Sequence, residues 1–424
     1  MINEDFLHYI WKFQKWNNPH LVTSQGKGVT VFQTGFHNHD SGPDFEEARI
    51  KIGEMEWVGS VEIHVKSSDW NKHRHDANEA YKNVILHVVY EHDADIYVND
   101  QLIPTLALKK SIDPTLIETY QKHITKLDVI PCGNQLINKS ELSYDLMLDK
   151  VLIERLERKA TSVLEIVNAL NGDWEETSYR ILASNFGFSV NKEAFKLLSK
   201  RLSFTMLKKN LQHPIKAEAL LFGQAGFLED IKDDYQDELK IEHQYLSNKY
   251  GLPLALKKHQ WKFAKMRPAN FPSVRLAQFS SFLVAHPQLF YALIEMTKPK
   301  ELIENLKFEL SDYWKLHYDF GKKRKKEINS MGNQAFEHLL INSVAPILAA
   351  YSKYSDHLDY MNRAISILEE MRPEQNRRTK HWSALGKAPQ SAFESQAQIQ
   401  LLDTYCTKRK CLSCAIGVSL LNND

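Results

Sequence analysis

Asp44, directly after Pro43, and Glu62, in the run Gly59-Ser60-Val61-Glu62-Ile63-His64-Val65-Lys66, are the residues of this chain best spaced to do chemistry. Two carboxylates and one backbone carbonyl, here that of Ile63, satisfy an oxygen-seeking Mg²⁺ or Mn²⁺. Hydrolysis of a phosphodiester needs such an ion to orient water and neutralise phosphate oxygens. In a strand, His64 stands on the same face as Glu62, where an imidazole can act as base, proton relay or phosphate contact. Lys66 lies two residues further along that face and can reach a phosphate oxygen as a point charge. A plainer reading stays open: a Pro-Asp turn stabilised by its own side chain, and a solvated Glu-x-His-x-Lys strand edge.

Histidines crowd around this pair. His37, His39, His64, His73 and His75 are close in sequence, His87 follows, and nine of the eighteen histidines precede residue 93. The His37-x-His39 and His73-x-His75 pairs, with Asp76 as a third ligand, offer a zinc site as an alternative. No His-Glu-x-x-His spacing supports it. His37, His39 and His73 also read as hydrogen-bond donors to a nucleic-acid phosphate. Trp57 and Trp70 read as core or rim aromatics rather than base-stacking platforms. Cys406, Cys411 and Cys414 end the chain in Cys-x4-Cys-x2-Cys spacing, and Cys132 is the other cysteine. Four thiolates suffice for a zinc ion or an iron–sulfur cluster, with buried or unpaired thiols the alternative.

Two basic groups lie downstream. Lys322, Lys323 and Arg324 head a run of five cations, and Arg267 and Arg275 flank a Pro-rich turn that starts a helix at Pro272. Such groups hold a phosphate backbone without reading its sequence. Solvated loops, and arginines paired with local acids, are the alternatives.

The elements that must position these residues fall into two regions. The first ~135 residues predict, in order, a helix at Phe6–Phe13, strands at Gly26–Phe32, Phe45–Ile52 and Met55–Lys66, a helix at Asp76–Tyr81 and a strand at Val84–Val89. Gly53-Glu54 reads as a hairpin turn. Within Phe45–Ile52 the start is out of phase with the end. Ile96–Val98 reads as a further short strand. A small mixed sheet flanked by helices is the simplest packing for this order. Residues 136–424 predict a mainly helical region, with room for two subdomains, ending in the cysteine segment. Its amphipathic runs include Tyr144–Asn168, Trp174–Phe186, Tyr235–Tyr250 and Met361–Met371. The fold class expected is α+β.

Bulk numbers narrow the partners. The 424 residues carry 54 basic against 53 acidic side chains, so any pull on a polyanion must come from a local patch. No apolar stretch is long enough to span a bilayer, and Met1-Ile2-Asn3-Glu4-Asp5 lacks the form of a secretory signal. Four cysteines do not suggest a disulfide scaffold. A cytoplasmic protein is expected, with DNA or RNA as partner and no membrane; the oligomeric state is not legible.

Pro43-Asp44, Glu62-Ile63-His64 and the helix–strand–strand–strand–helix–strand order resemble the PD-(D/E)XK nuclease superfamily. That resemblance implies a restriction-endonuclease-like sheet, a Mg²⁺ or Mn²⁺ ion on Asp44 and Glu62, and a further acid from the first helix, Glu4 or Asp5. It departs at His64, where the superfamily carries lysine. Either His64 replaces that lysine, or Lys66 reaches in, or the site is decayed and the protein binds nucleic acid without cutting it. The chain also resembles, over nearly its full length, an uncharacterised family of Bacteroidetes proteins filed as a domain of unknown function. The carrying segments are Ser41 to Phe45, Gly59 to Trp70, Val84 to Val89, Arg267 to Pro272, Arg275 to Gln278 and the final cysteines.

Overall fold

A helix, three antiparallel strands and a fourth strand parallel to the third build the part of the molecule that carries Asp44 and Glu62. The computed structural model describes residues 2–38, 42–73, 75, 79–98, 101–125, 128–136, 141–264, 266–295, 299–328 and 330–422. His39, Ser41 and Asp76 lie outside the described residues, as does the start of the helix expected at Asp76.

Helix α1 spans Glu4–Lys12. Asn3 caps it, its side chain accepting from the Phe6 amide at 3.1 Å, and Glu4 and Asp5 complement the positive end of the helix dipole. Phe6, Leu7, Ile10 and Trp11 are fully buried against the sheet. Glu4 and His8, one turn apart, therefore share a neighbouring face of the helix.

The sheet runs β1 (Leu21–Val22), β2 (Gly28–Gln33), β4 (Phe45–Ile52), β5 (Met55–Lys66), β6 (Val84–Glu91) and β9 (Thr105–Ala107), with β3 (Phe36–His37) pairing β4. Pairs β2–β4 and β4–β5 are antiparallel, while β5–β6 and β6–β9 are parallel. A separate two-residue pair, β7 (Tyr97–Val98) and β8 (Gln101–Leu102), follows β6. The long β4–β5 hairpin has the limits expected from alternation. Its out-of-phase start has a physical cause. Phe45 pairs Val61 and Ala48 pairs Gly59, so two residues of β4 face one of β5, and Glu47 takes φ 56°. This β-bulge resets the pleat so that Phe45, Ala48, Ile50 and Ile52 all reach the core.

Two glycines are required here. Gly42 has φ 119° in the turn that delivers Pro43 and Asp44. Gly59 lets β5 approach the start of β6: a Cβ on it would lie 2.5 Å from Ile85 Cγ2 and 2.8 Å from the Asn83 carbonyl.

Two compact units emerge, one of Met1–Met147 with Leu401–Asp424 and the other of Leu148–Gln400. The division falls later than the expected residue 135, and the final cysteine segment joins the sheet rather than the helices. The reason is apolar: Leu421, on the last helix (Ala415–Asn422), is buried in the sheet core, with Leu412 and Val418 packed beside it. The second unit is helical, as expected. Trp174–Phe186 is found at its expected limits, and neighbouring helices run Phe188–Arg201, Pro214–Gln224, Asp234–Tyr250 and Pro272–Ala285. One short hairpin interrupts it, His317–Asp319 with Lys322–Lys323, so part of the basic run is strand. Among the described residues, no helix is long and apolar enough to cross a membrane.

Candidate metal centre

Strand β5 is buried on both faces over Gly59–His64. One face carries Val61 and Ile63 into the apolar core. The other carries Glu62, 4% exposed, and His64, 1% exposed. The solvated strand edge is thereby ruled out: a buried carboxylate and imidazole side by side need partners.

Asp44 and Glu62 are interlocked through the backbone. The Asp44 amide donates to Glu62 Oε2 at 3.1 Å, and the Ile63 amide donates to Asp44 Oδ2 at 2.9 Å. Both carboxylates are thus fixed at the start of β4 and the middle of β5. Burial, followed by the like charge of Asp44, pushes the Glu62 carboxyl up to about 9. Glu4, also raised by burial, adds a third negative field acting on Glu62. Of the two acids weighed in α1, Glu4 faces Asp44 while Asp5 is exposed.

Imidazoles surround the acids. His8 Nε2 lies 3.3 Å from Asp44 Oδ2. His75 Nε2 lies 3.2 Å, and His64 Nε2 3.6 Å, from Glu62 Oε1. His64 Nε2 is 3.1 Å from His73 Nδ1, and its Nδ1 is 2.9 Å from His87 Nε2. His64, His73 and His75 each offer a nitrogen within 4.8 Å of the others, close enough to share one ion. Burial, then the fields of His75 and His73, lowers His64 to about 4; burial and His64 lower His87 to about 3. Both rings are neutral at neutral pH, so both can offer a lone pair.

Lys66 is exposed at the end of β5; its amide donates to Asp69 and its charge acts on Asp93. It is not among the groups that act on Glu62. His37 stacks on Phe45 at 4.6 Å and meets His8 edge-on at 5.1 Å, apart from the three-histidine group. Trp70 is fully buried, edge-on to His64, His75 and His87, and Trp57 is 43% exposed. Tyr81 stacks on His75 at 3.9 Å and donates to the Gly42 carbonyl at 3.2 Å, tying the histidine segment to the Asp44 turn.

Sequence reasoning missed His8 and Tyr81 as members of this site. It noted His87 only as a strand residue. The i, i+4 spacing of Glu4 and His8 on one helix was the available signal for His8. For His87 it was a polar residue amid Val84-Ile85-Leu86 and Val88-Val89.

The cysteines share the first unit. Cys406, Cys411 and Cys414 are buried, Cys132 is half-buried, and none of the four is in a disulfide. Arg409 Nη2 donates to the Asp128 carbonyl at 3.0 Å, which ties the final segment to the chain before Cys132. Burial leads, and the other three cysteines add, in raising the Cys406 thiol. Among the described residues, no three thiols close within 4.8 Å. A tetrahedral zinc site needs sulfurs about 3.8 Å apart.

In the second unit, Arg267 and Lys323 are exposed, Lys322 pairs with Asp319 at 3.0 Å, and Arg275 and Arg324 turn toward a common cavity.

Residues 4–377 match the model of a family described as "Protein of unknown function (DUF2851)". The chain belongs to that family. No curated protein and no solved structure matches it.

Proposed function

We propose that the first unit is a metal-dependent nuclease that hydrolyses phosphodiester bonds of DNA or RNA in the cytoplasm, with Mg²⁺ or Mn²⁺ held by Asp44 and Glu62. The observation that carries this reading is the interlocked carboxylate pair, Glu62 buried and Asp44 half-buried, with Glu4 acting on both. A divalent cation would offset the repulsion among these acids in place of the proton that Glu62 otherwise holds. The strand order supports it too: α1, then β2, β4 and β5 antiparallel, then β6 parallel to β5, in the order expected for the PD-(D/E)XK nucleases. The ion would neutralise phosphate oxygens and acidify water. His64, neutral and in reach of Glu62, would accept a proton from that water, and His8 would hold Asp44 in place. Imidazoles beside carboxylates favour Mn²⁺ over Mg²⁺.

A second reading is a zinc-dependent hydrolase. The three-histidine group at His64, His73 and His75 favours it, since nitrogen donors suit zinc. The assay that separates these readings follows labelled linear, nicked and single-stranded DNA and RNA with Mg²⁺, Mn²⁺, Zn²⁺ or EDTA. Cleavage supported by Mg²⁺ or Mn²⁺ and abolished by EDTA is the expected result. Activity with Zn²⁺ alone would move the assignment to the histidines. Binding of nucleic acid without cleavage under any ion would leave a retired site.

The proposal extends to Cys132, Cys406, Cys411 and Cys414 as ligands of a structural zinc or an iron–sulfur cluster, which requires the thiols to draw together on binding. Elemental analysis of anaerobically purified protein is expected to find zinc or iron that a Cys411→Ser/Cys414→Ser variant lacks. Equal metal content in both proteins would leave the cysteines as plain buried thiols.

A further inference from the structure

The helical unit holds a cavity of about 780 Å³ between the helices Phe188–Arg201 and Pro272–Ala285 and the segment around Arg324–Ala335. Its volume lies within the range of small-molecule sites. Three buried polar atoms without a hydrogen-bond partner belong to residues on its wall: Arg275 Nε, Arg324 Nη2 and Ser330 Oγ. Buried donors are rarely left unpaired unless a ligand or water completes them.

The charge count points the same way. Two guanidiniums line the cavity, and no carboxylate stands among its described lining residues. Arg275 is held only by neutral groups: Nη1 donates to Gln278 Oε1 at 2.8 Å and Nη2 to Asn270 Oδ1 at 2.6 Å. Its guanidinium lies 4.1 Å over the Phe188 ring. Arg324 Nε donates to the His317 carbonyl at 2.8 Å. Burial alone lowers both arginines below their ordinary value, with no acid opposing it. Both arginines are half-buried, and each turns a buried, unpartnered nitrogen to the cavity with no counter-charge beside it, so the group that completes them is an anion.

Backbone strain marks the same wall. Phe188 has φ 49°, an uncommon conformation for an aromatic residue, and is clamped between Arg275 and the ring of His338 at 4.6 Å. Strain of this kind persists where surrounding structure holds it, often at ligand clamps. Lys323, Lys325 and Lys326, next to Arg324 in the chain, are exposed and add positive charge on the outer side of this segment.

We propose that this cavity binds a small organic phosphate monoester, its phosphate seated between Arg275, Arg324 and Ser330. Two positive charges match the charge of a phosphate monoester near neutral pH, and planar guanidinium forks suit its oxygens. Phe188, Val274, Ile328 and Met331 offer an apolar wall for the organic body. The site lies wholly in the helical unit and does not depend on the nuclease reading.

The test is thermal unfolding of the full chain with inorganic phosphate, adenosine 5′-monophosphate, adenosine or succinate, each against potassium chloride at equal ionic strength. Phosphate and the monophosphate are expected to raise Tm saturably, the monophosphate at lower concentration, while adenosine and succinate leave it unchanged. Arg275→Gln and Arg324→Gln are each expected to weaken the apparent affinity at least about tenfold. Arg324, nearer the surface, serves as the variant that keeps the fold, and each variant's unliganded Tm reports its folding. The proposal is overturned by a phosphate shift no larger than that of chloride. An equal shift in the folded Arg324→Gln protein, or an equal response to succinate, also overturns it.

Discussion

Glu62→Ala is expected to lower Mg²⁺- or Mn²⁺-dependent cleavage by roughly 10³-fold or more, while leaving nucleic-acid binding largely intact. Losing a divalent ion forfeits several kcal/mol of charge stabilisation, and each 1.36 kcal/mol is a factor of ten in rate. Glu62 is singled out because it serves twice. Oε2 accepts from the Asp44 amide and Oε1 faces His75 and His64, so its loss removes one carboxylate and frees the turn that aims the other. Lys66→Ala is the matching control. Lys66 is exposed and acts on Asp93, so its removal is expected to cost less than about tenfold, by weaker phosphate attraction alone. Equal rates for wild type and Glu62→Ala would falsify the assignment of this site.

The contribution of this site to the stability of the metal-stripped protein is expected to be largest near pH 6.5 and to fall on either side. Lys159 and His338 in the helical unit, lowered by burial to about 7 and about 4, add slopes of their own. On the acid side the cause is His64 and His87, whose folded values of about 4 and about 3 lie below the ordinary 6.5. A depressed base contributes stability above its unfolded value, and that stability is lost as pH falls toward the folded value. On the alkaline side the cause is Glu62, raised from 4.5 to about 9. Its contribution is complete below the unfolded value and is lost as pH rises through 9. Between 4.5 and 6.5 the unfolded chain binds two protons at His64 and His87 against one held by folded Glu62, so these three groups give a net slope of about 1.4 kcal/mol per pH unit. Above 6.5 the slope reverses with the same size, so each limb amounts to about 3 kcal/mol. Divalent ion displaces the Glu62 proton, so adding Mn²⁺ is expected to flatten the alkaline limb. Urea unfolding of the wild type and of Glu62→Gln from pH 4.5 to 9, with EDTA or Mn²⁺, isolates the Glu62 limb as the difference between the two. A flat difference in EDTA would mean that Glu62 is ionised without a cation.

The sheet was legible because its signals are local. Alternation in Met55–Lys66 and the Gly53-Glu54 turn set the β4–β5 hairpin, and the apolar run at Val84–Val89 set β6. Phe45 was out of phase because a bulge depends on the partner strand: Glu46 and Glu47 facing a single residue of β5 is a property of the pair. Strands as short as Phe36–His37 and Thr105–Ala107 carry too little pattern to read, and only the growing sheet specifies them.

The acid pair was legible as Pro-Asp and Glu-x-His, but the composition of the histidine group was not. Periodicity puts His64 beside Glu62, whereas the approach of His73 and His75 depends on the loop after β5 folding back over the strand. The helix Asp69–Lys72 begins that return, with Trp70 buried beneath the imidazoles. Arg275 and Arg324 likewise read as separate surface cations. Only tertiary packing brings helix and hairpin to one cavity.

The central statement is that Asp44 and Glu62 hold a divalent ion. Calorimetric titration of Mn²⁺ into metal-stripped protein at pH 7.5 tests it most directly, with an Asp44→Asn/Glu62→Gln protein alongside. Saturable binding to the wild type, accompanied by proton release and lost in the double variant, is the expected result. Undiminished Mn²⁺ binding in the double variant, or none in the wild type, would contradict it.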